Sequence, residues 1–275
     1  MGMKIKMKRI IDAAASVNIG KRRENNEDNL YFNGVFLTEA TRERPGDFEA
    51  ACRDRRQLYA VCDGMGGEQL GELASLLTVE SLHSHAGLLK EAPETELEAK
   101  LERFIREANG LVCEAQRSRG TKRIGTTLAM VAVDGKSAHL YNIGDSRIYL
   151  FRKNRLEQFS EDHTATMRLI RLGNITPEQA KNHPQRNSLT QFVGIDEAEM
   201  VIEAHKSKVK MKNGDVFMLC SDGLTDMVEE AEISRILAAS TKPAEAARRL
   251  VEAALSREGR DNITVIILAY RRKIL

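Results

Sequence analysis

The chain has 275 residues, 42% of them hydrophobic and 30% charged, with 42 Lys and Arg against 40 Asp and Glu for a net charge of +2. This length permits one large domain or two small ones, and the composition is that of an ordered globular protein. So small a charge excess excludes dependence on a broad basic surface, and nucleic acid is not an expected partner.

The segment Met1–Arg9 carries charge but no apolar centre, so it does not read as a secretion signal. Lys6 stands where a myristoylation signal needs Ser or Thr, and no apolar run is long enough to span a bilayer. A cytoplasmic location without membrane attachment is expected. Ile11–Val17, Leu30–Leu37 and Leu58–Cys62 read as strands bounded by Gly or Asp-Gly signals. Residues 38–57, a charged stretch with Pro45 and Gly46, are expected to form a solvated surface insertion.

Leu70, Leu73, Ala74 and Leu77 recur at helical spacing and predict one buried stripe; Leu101, Phe104, Ile105, Ala108, Leu111, Val112 and Ala115 predict a second. A meander follows, with Leu128–Val133 and Ala138–Ile143 flanking the hairpin signal Asp134-Gly135. Ile148–Phe151 and Leu156–Phe159 continue it through Lys153-Asn154. Thr176-Pro177-Glu178-Gln179 has the form of a capped helix start. Val216–Cys220 is a short apolar strand, Ala247, Leu250, Val251, Ala254 and Leu255 mark a helix ended by Gly259, and Ile263–Ala269 is a final buried strand. Hairpins with helices grouped in pairs point to a single α+β domain. Cys52, Cys62, Cys113 and Cys220 show no paired zinc spacing, and Cys62 and Cys220 read as small buried hydrophobes.

Six acids sit where strand-forming runs break into turns: Glu27, Asp28, Asp63, Asp145, Asp222 and Asp261. Taken singly, each reads equally well as a turn or cap residue. Together they describe a strand end crowded with carboxylates, which need cations or protons between them. Carboxylate oxygens are hard ligands that suit magnesium or manganese, and the glycines after Asp63 let a backbone carbonyl approach an ion.

In chain order, Gly20-Lys21-Arg22-Arg23-Glu24-Asn25-Asn26-Glu27-Asp28, Asp63-Gly64-Met65-Gly66-Gly67, Gly125-Thr126-Thr127, Gly144-Asp145-Ser146-Arg147, Cys220-Ser221-Asp222-Gly223 and Asp261-Asn262 occur with suitable separations. This set resembles the metal-dependent protein phosphatases of type 2C in their compact bacterial form, over about Ala14 to Tyr270. The resemblance implies a four-layer αββα sandwich of two mainly antiparallel sheets flanked by helix pairs. It implies one catalytic domain across residues 1–275, with a flap at about 164–199.

The implied activity is Mg²⁺- or Mn²⁺-dependent hydrolysis of phosphoserine and phosphothreonine on proteins, by direct attack of a metal-bridging hydroxide. Asp63 would bridge two ions, the Gly64 carbonyl would bind one, and Asp222 and Asp261 would complete the first ion's protein ligands. Glu27 would approach the second, Asp28 would order its waters, Asp145 and Asp222 would hold a weaker third ion, and Arg23 would grip the phosphate. Met65 stands where animal members often carry His, leaving a metal-bound water, His163 or His183 as proton donor. Implied partners are phosphorylated proteins and a cognate bacterial serine/threonine kinase, with the enzyme a monomer. The alternatives are an inactive phosphoprotein-binding module, against which the filled acidic set speaks, and a small-metabolite phosphatase of the same fold.

Overall fold

The computed structural model describes residues 7–44, 46–66, 70–120 and 124–274; Met1–Lys6, Pro45 and Gly67, named above, lie outside them. The chain opens with β1 (Met7–Asn18), β2 (Asn29–Phe32), β3 (Val35–Phe36), β4 (Gly46–Cys52), β5 (Arg56–Cys62) and β6 (Gly64–Met65). Two long helices follow, α1 (Gly71–Glu91) and α2 (Glu94–Arg119), then β7 (Gly125–Thr126), β8 (Leu128–Asp134), β9 (Ser137–Ile143), β10 (Arg147–Arg152) and β11 (Arg155–Gln158). The short helices α3 (Ala165–Arg171) and α4 (Pro177–Lys181) lead to β12 (His205–Lys210), β13 (Val216–Cys220), α5 (Asp222–Thr225), α6 (Glu230–Ala239), α7 (Pro243–Ser256) and β14 (Ile263–Ile274).

Strand periodicity explains how these elements layer. In β5, Tyr59 and Val61 face one cluster of apolar side chains while Leu58, Ala60 and Cys62 face another. In β14, Ile266, Leu268 and Tyr270 face that first cluster, and Ile263, Val265 and Ile267 face a third. Successive side chains point to opposite faces, so strands buried on both sides read as continuous apolar runs. The shared cluster lies between two six-stranded sheets, ordered β11-β10-β13-β14-β1-β4 and β12-β9-β8-β5-β2-β3. Helices α1 and α2 cover the second sheet, and α6 and α7 cover the first. The result is an α+β sandwich of four layers, αββα.

Local chemistry places the breaks. Gly135 is left-handed (φ +60°) between β8 and β9, and Lys153 and Asn154 are left-handed (φ +53° and +60°) between β10 and β11, as two-residue hairpins require. Thr176 and Gln179 form the reciprocal capping box expected at the start of α4. The buried Arg56 donates from Nη1 to the Leu89 and Ala92 carbonyls at 2.5 and 2.7 Å, satisfying the end of α1, and from Nη2 to Asp134 at 2.6 Å.

Two helical stripes differ from expectation. On α1, Leu70, Leu73 and Leu77 are only partly buried, and the face that meets the sheet carries Ala74, Ser75, Thr78, Val79 and Leu82. On α2, Leu111 is 47% exposed, and Leu97 and Asn109 take part in the buried face instead. Residues 38–57 contain β4, an edge strand paired with β1 and mostly exposed. Among the described residues, no helix is long and apolar enough to cross a membrane.

Candidate active site

Every acid singled out in the sequence is carried to one end of the sandwich. The register sets Asn29 opposite Cys62, so Asp28 before β2 and Asp63 after β5 are neighbours. Cys220 pairs with both Val265 and Arg147, which brings Asp222 after β13, Asp261 before β14 and Asp145 before β10 to the same end. The Glu27 carbonyl accepts from the Gly64 N–H at 3.2 Å and from Ser75 Oγ at 2.7 Å.

Close packing of bare backbone makes this possible. A Cβ on Gly64 would lie 2.2 Å from the Gly71 carbonyl oxygen and 2.5 Å from that of Glu27. A Cβ on Gly223 would lie 2.0 Å from the Asn262 carbonyl oxygen. Neither position admits a side chain, so the two Asp-Gly turns are fixed by steric contact as well as by turn geometry.

Polar groups then lock the acids in place. Asp63 N–H donates to Thr127 Oγ1 at 2.9 Å, its carbonyl accepts from Thr127 N–H and Thr126 Oγ1, both at 2.9 Å, and Thr127 Oγ1 meets Ser146 Oγ at 2.6 Å. Asn262 Oδ1 accepts from Glu27 N–H at 2.7 Å while its Nδ2 donates to the carbonyls of Ile19 and Asn25. Asp28 is 2% exposed between the sheets, where its Oδ2 accepts from Ser221 Oγ at 2.8 Å and Thr264 Oγ1 at 2.7 Å. Among the described residues, its Oδ1 is buried with no hydrogen-bond partner.

The electrostatics are those of anions forced together. Burial pushes the Asp63 carboxyl well above the usual carboxylate range, and the charges of Asp28, Asp222, Asp145 and Asp261 push it further. Burial likewise raises Asp28 to about 7, with Asp222 and Asp261 adding and the Thr264 and Ser221 hydrogen bonds opposing. Asp222 rises to about 6 through burial and then Asp226 and Asp261, against a hydrogen bond with Asp63 and the charge of Arg23. Glu27 rises to about 6, chiefly through burial, against the pull of Arg23. Asp145 is raised by burial and by Asp222. At neutral pH such a cluster holds protons unless cations replace them.

Arg23 lies at this cluster, with Nη2 donating to Asp261 Oδ2 at 2.7 Å and Nη1 standing 3.8 Å from Glu27. Of the two histidines considered as acids, His163 accepts the Gly144 N–H on Nδ1 at 3.2 Å, and burial lowers its pKa. It therefore braces the turn that carries Asp145 and is held neutral. His183 lies in the 164–199 segment, its Nδ1 accepting from Gln185 N–H at 3.2 Å. That segment approaches the end of α5 through Arg186, 3.9 Å from Asp226. The hydroxyls of Ser221 and Thr264 are the functional groups to which sequence reading assigned no role; their one signal is proximity to Asp222 and Asn262.

Among the described residues, no three or more His, Cys, Asp or Glu side chains stand close enough together to hold a metal ion as they are placed. The residues nevertheless fit hard divalent cations. The donors are carboxylate oxygens, one of them an orphaned buried atom on Asp28, and their mutual repulsion needs positive charge for relief.

The sequence profile of the protein phosphatase 2C family matches residues 47–258. The serine/threonine phosphatase stp of Listeria innocua is 35% identical over 255 residues, covering 90% of this chain and 92% of that one. The crystal structure of the Mycobacterium tuberculosis serine/threonine phosphatase PstP/Ppp superposes with a TM-score of 0.78 at 33% identity, covering 94% of this chain and 98% of that chain. The catalytic domain of serine/threonine protein phosphatase PstP in complex with two manganese ions gives a TM-score of 0.77 at 32% identity, covering 96% and 100%. Sandwich and carboxylate cluster together define a hydrolase dependent on divalent cations. The chain belongs to the protein phosphatase 2C family, in its bacterial form. Its activity is that of a protein serine/threonine phosphatase.

Proposed function

We propose that Asp63, the Gly64 carbonyl, Asp222, Asp261 and, at a greater remove, Glu27 hold two Mg²⁺ or Mn²⁺ ions, and that Asp145 with Asp222 holds a weaker third. When bound, such ions activate a solvent nucleophile and neutralise charge on the phosphoryl oxygens. Arg23 orients the phosphate, since its planar fork offers two parallel donors; in doing so it exchanges Asp261, now its partner, for substrate oxygens. Asp28 acts from behind, holding position through Ser221 and Thr264 while its free Oδ1 faces the remaining demand for a donor. His163 fixes the Gly144-Asp145 turn.

The substrates on this reading are proteins phosphorylated on Ser or Thr by a cognate bacterial kinase inside the cell, and the enzyme works as a monomer. The whole chain acts as one catalytic domain, with residues 164–199 as a flap whose Arg186 reaches toward Asp226. The observation that carries the proposal is the convergence of six acids, with five carboxyls raised by burial and mutual repulsion, at one end of the sandwich.

Purified protein is expected to hydrolyse p-nitrophenyl phosphate and a phosphothreonine peptide with added manganese and to stop on addition of chelator. Asp63→Asn and Asp222→Asn are each expected to abolish turnover while circular dichroism shows an intact fold. Near-normal rates in either variant would rule out the assignment.

A further inference from the structure

At the end of the sandwich away from the carboxylates, β1 begins, β14 ends, and Arg53-Asp54-Arg55 carries the chain from β4 in one sheet to β5 in the other. The strand run from Arg9 to Asn18 puts this pole roughly 30 Å from the catalytic end at the usual rise per residue. A cleft of about 400 Å³ opens between the sheet ends. Ile10, Ile11, Val133 and Tyr270 line it with apolar surface, and Arg9, Arg53 and Arg55 line it with positive charge.

The pairing register sets Arg9 directly opposite Arg272. Like charges facing each other across an antiparallel pair repel. Among the described residues, neither of them, nor Arg53, has a carboxylate within 4.0 Å. Arg272 lies over the Tyr270 ring, 5.7 Å from its centroid, and donates to Tyr270 Oη and the Met211 carbonyl. The nearby acids do not cancel the charge. Asp134 is held by Arg55 at 3.2 Å and Arg56 at 2.6 Å, and Asp12 by Arg271 at 3.3 Å. Among the described residues, Asp54 alone remains against Arg9, Arg53 and Arg272.

We infer that this pole binds a small phosphomonoester at a site separate from the catalytic centre. Guanidinium forks arriving from β1 (Arg9) and from the β4–β5 turn (Arg53 and Arg55) line the cleft and match a dianion with three terminal oxygens. A carboxylate, with one charge in one plane, answers fewer of those donors. The apolar floor and the volume suit a compact organic body attached to the phosphate. The anion also relieves the repulsion between Arg9 and Arg272, so binding and strand pairing reinforce each other.

The test uses the full chain treated with chelator, so that hydrolysis is silent, and adenosine monophosphate as probe, followed by thermal denaturation and calorimetry. The probe is expected to raise the melting temperature of the wild type. Arg9→Ala and Arg53→Ala are each expected to lose that rise and to bind about tenfold more weakly or worse, as loss of a charge-assisted pair implies. Both keep wild-type turnover of p-nitrophenyl phosphate with manganese, because the catalytic centre is untouched. Without ligand, Arg9→Ala is expected to be at least as stable as the wild type, an outcome that a purely structural role for Arg9 does not give. Two further arms separate the chemistry. Adenosine monophosphate stabilising more than inorganic phosphate supports an organic phosphomonoester, whereas a phosphoserine peptide that binds when the nucleotide does not overturns the small-ligand class. No shift in the wild type, or equal shifts in the wild type and both variants, overturns the site.

Discussion

Asp28→Asn offers the sharpest separation of stability from function. The carboxyl is 2% exposed, and its pKa of about 7 in the fold compares with 3.8 for a free Asp. The folded value is raised, so the folded state binds the proton more tightly than the unfolded one. The associated stability is therefore complete below the free value and is lost as pH rises through about 7. That gap corresponds to about 4 kcal/mol, an upper figure because Asp63 and Asp222 compete for the same protons. Asn keeps the shape and still accepts from Ser221 and Thr264, yet carries no charge to bury. In chelator at about pH 8 the variant should be more stable than the wild type by up to about 4 kcal/mol, or roughly 7 °C in melting temperature for a chain of this size. The advantage should shrink steadily on acidification toward about pH 4, and added manganese should narrow it by offsetting the wild-type charge. Turnover should fall in the same variant. Thermal melts across that pH range, with and without manganese, measure all of this. An advantage that is absent, or equal at both ends of the range, would refute the view that Asp28 is a buried charge waiting for a cation.

Gly64→Ala should cost about 2–4 kcal/mol and most of the turnover, since the new Cβ meets two carbonyl oxygens and the backbone must move away from Asp63; urea denaturation and manganese-dependent assays report both. Arg147→Ala leaves the Asp162 carboxylate, 8% exposed, without its bidentate partner, and should cost about 3 kcal/mol; the chevron or equilibrium midpoint measures it, and the turn carrying Asp145 should then require more manganese for half-maximal rate. On α2, Leu111→Glu should change stability by no more than about 0.5 kcal/mol, whereas Phe104→Ala, fully buried one face round, should cost about 3–5 kcal/mol.

The strands most legible in the sequence are those buried on both faces, β5, β8, β13 and β14, because an apolar run bounded by Gly or Asp admits few other readings. Of the four edge strands of the six-stranded sheets, β4 and β12 were hidden. In β12 lysines alternate with small residues, and β4 mixes Asp47 and Glu49 with Gly46, Ala50 and Ala51, so only pairing with β9 and β1 makes them strands. On α1 hydropathy pointed to leucines, but the backbone comes close to the sheet where Ser75 and Thr78 lie, and their hydroxyls return to carbonyls of Glu27 and Ala74. Small polar residues at a close contact leave no hydropathic trace. The acids were readable because each stands at a strand-to-turn break. Which hydroxyls would clamp Asp28 was not, because Ser221 and Thr264 reach it only through the stacking of one sheet on the other.

The carboxamide of Asn262 ties three stretches of chain together, taking the Glu27 amide proton and giving its own to Ile19 and Asn25. Its neighbour Asp261 and the tied Glu27 are thereby mechanically one body, though they belong to opposite ends of the polypeptide. A displacement imposed at either acid is transmitted to the other through a single side-chain knot. If Asp261 and Glu27 serve two ions as proposed, their occupation is expected to be cooperative, with the first arrival setting the position of the second.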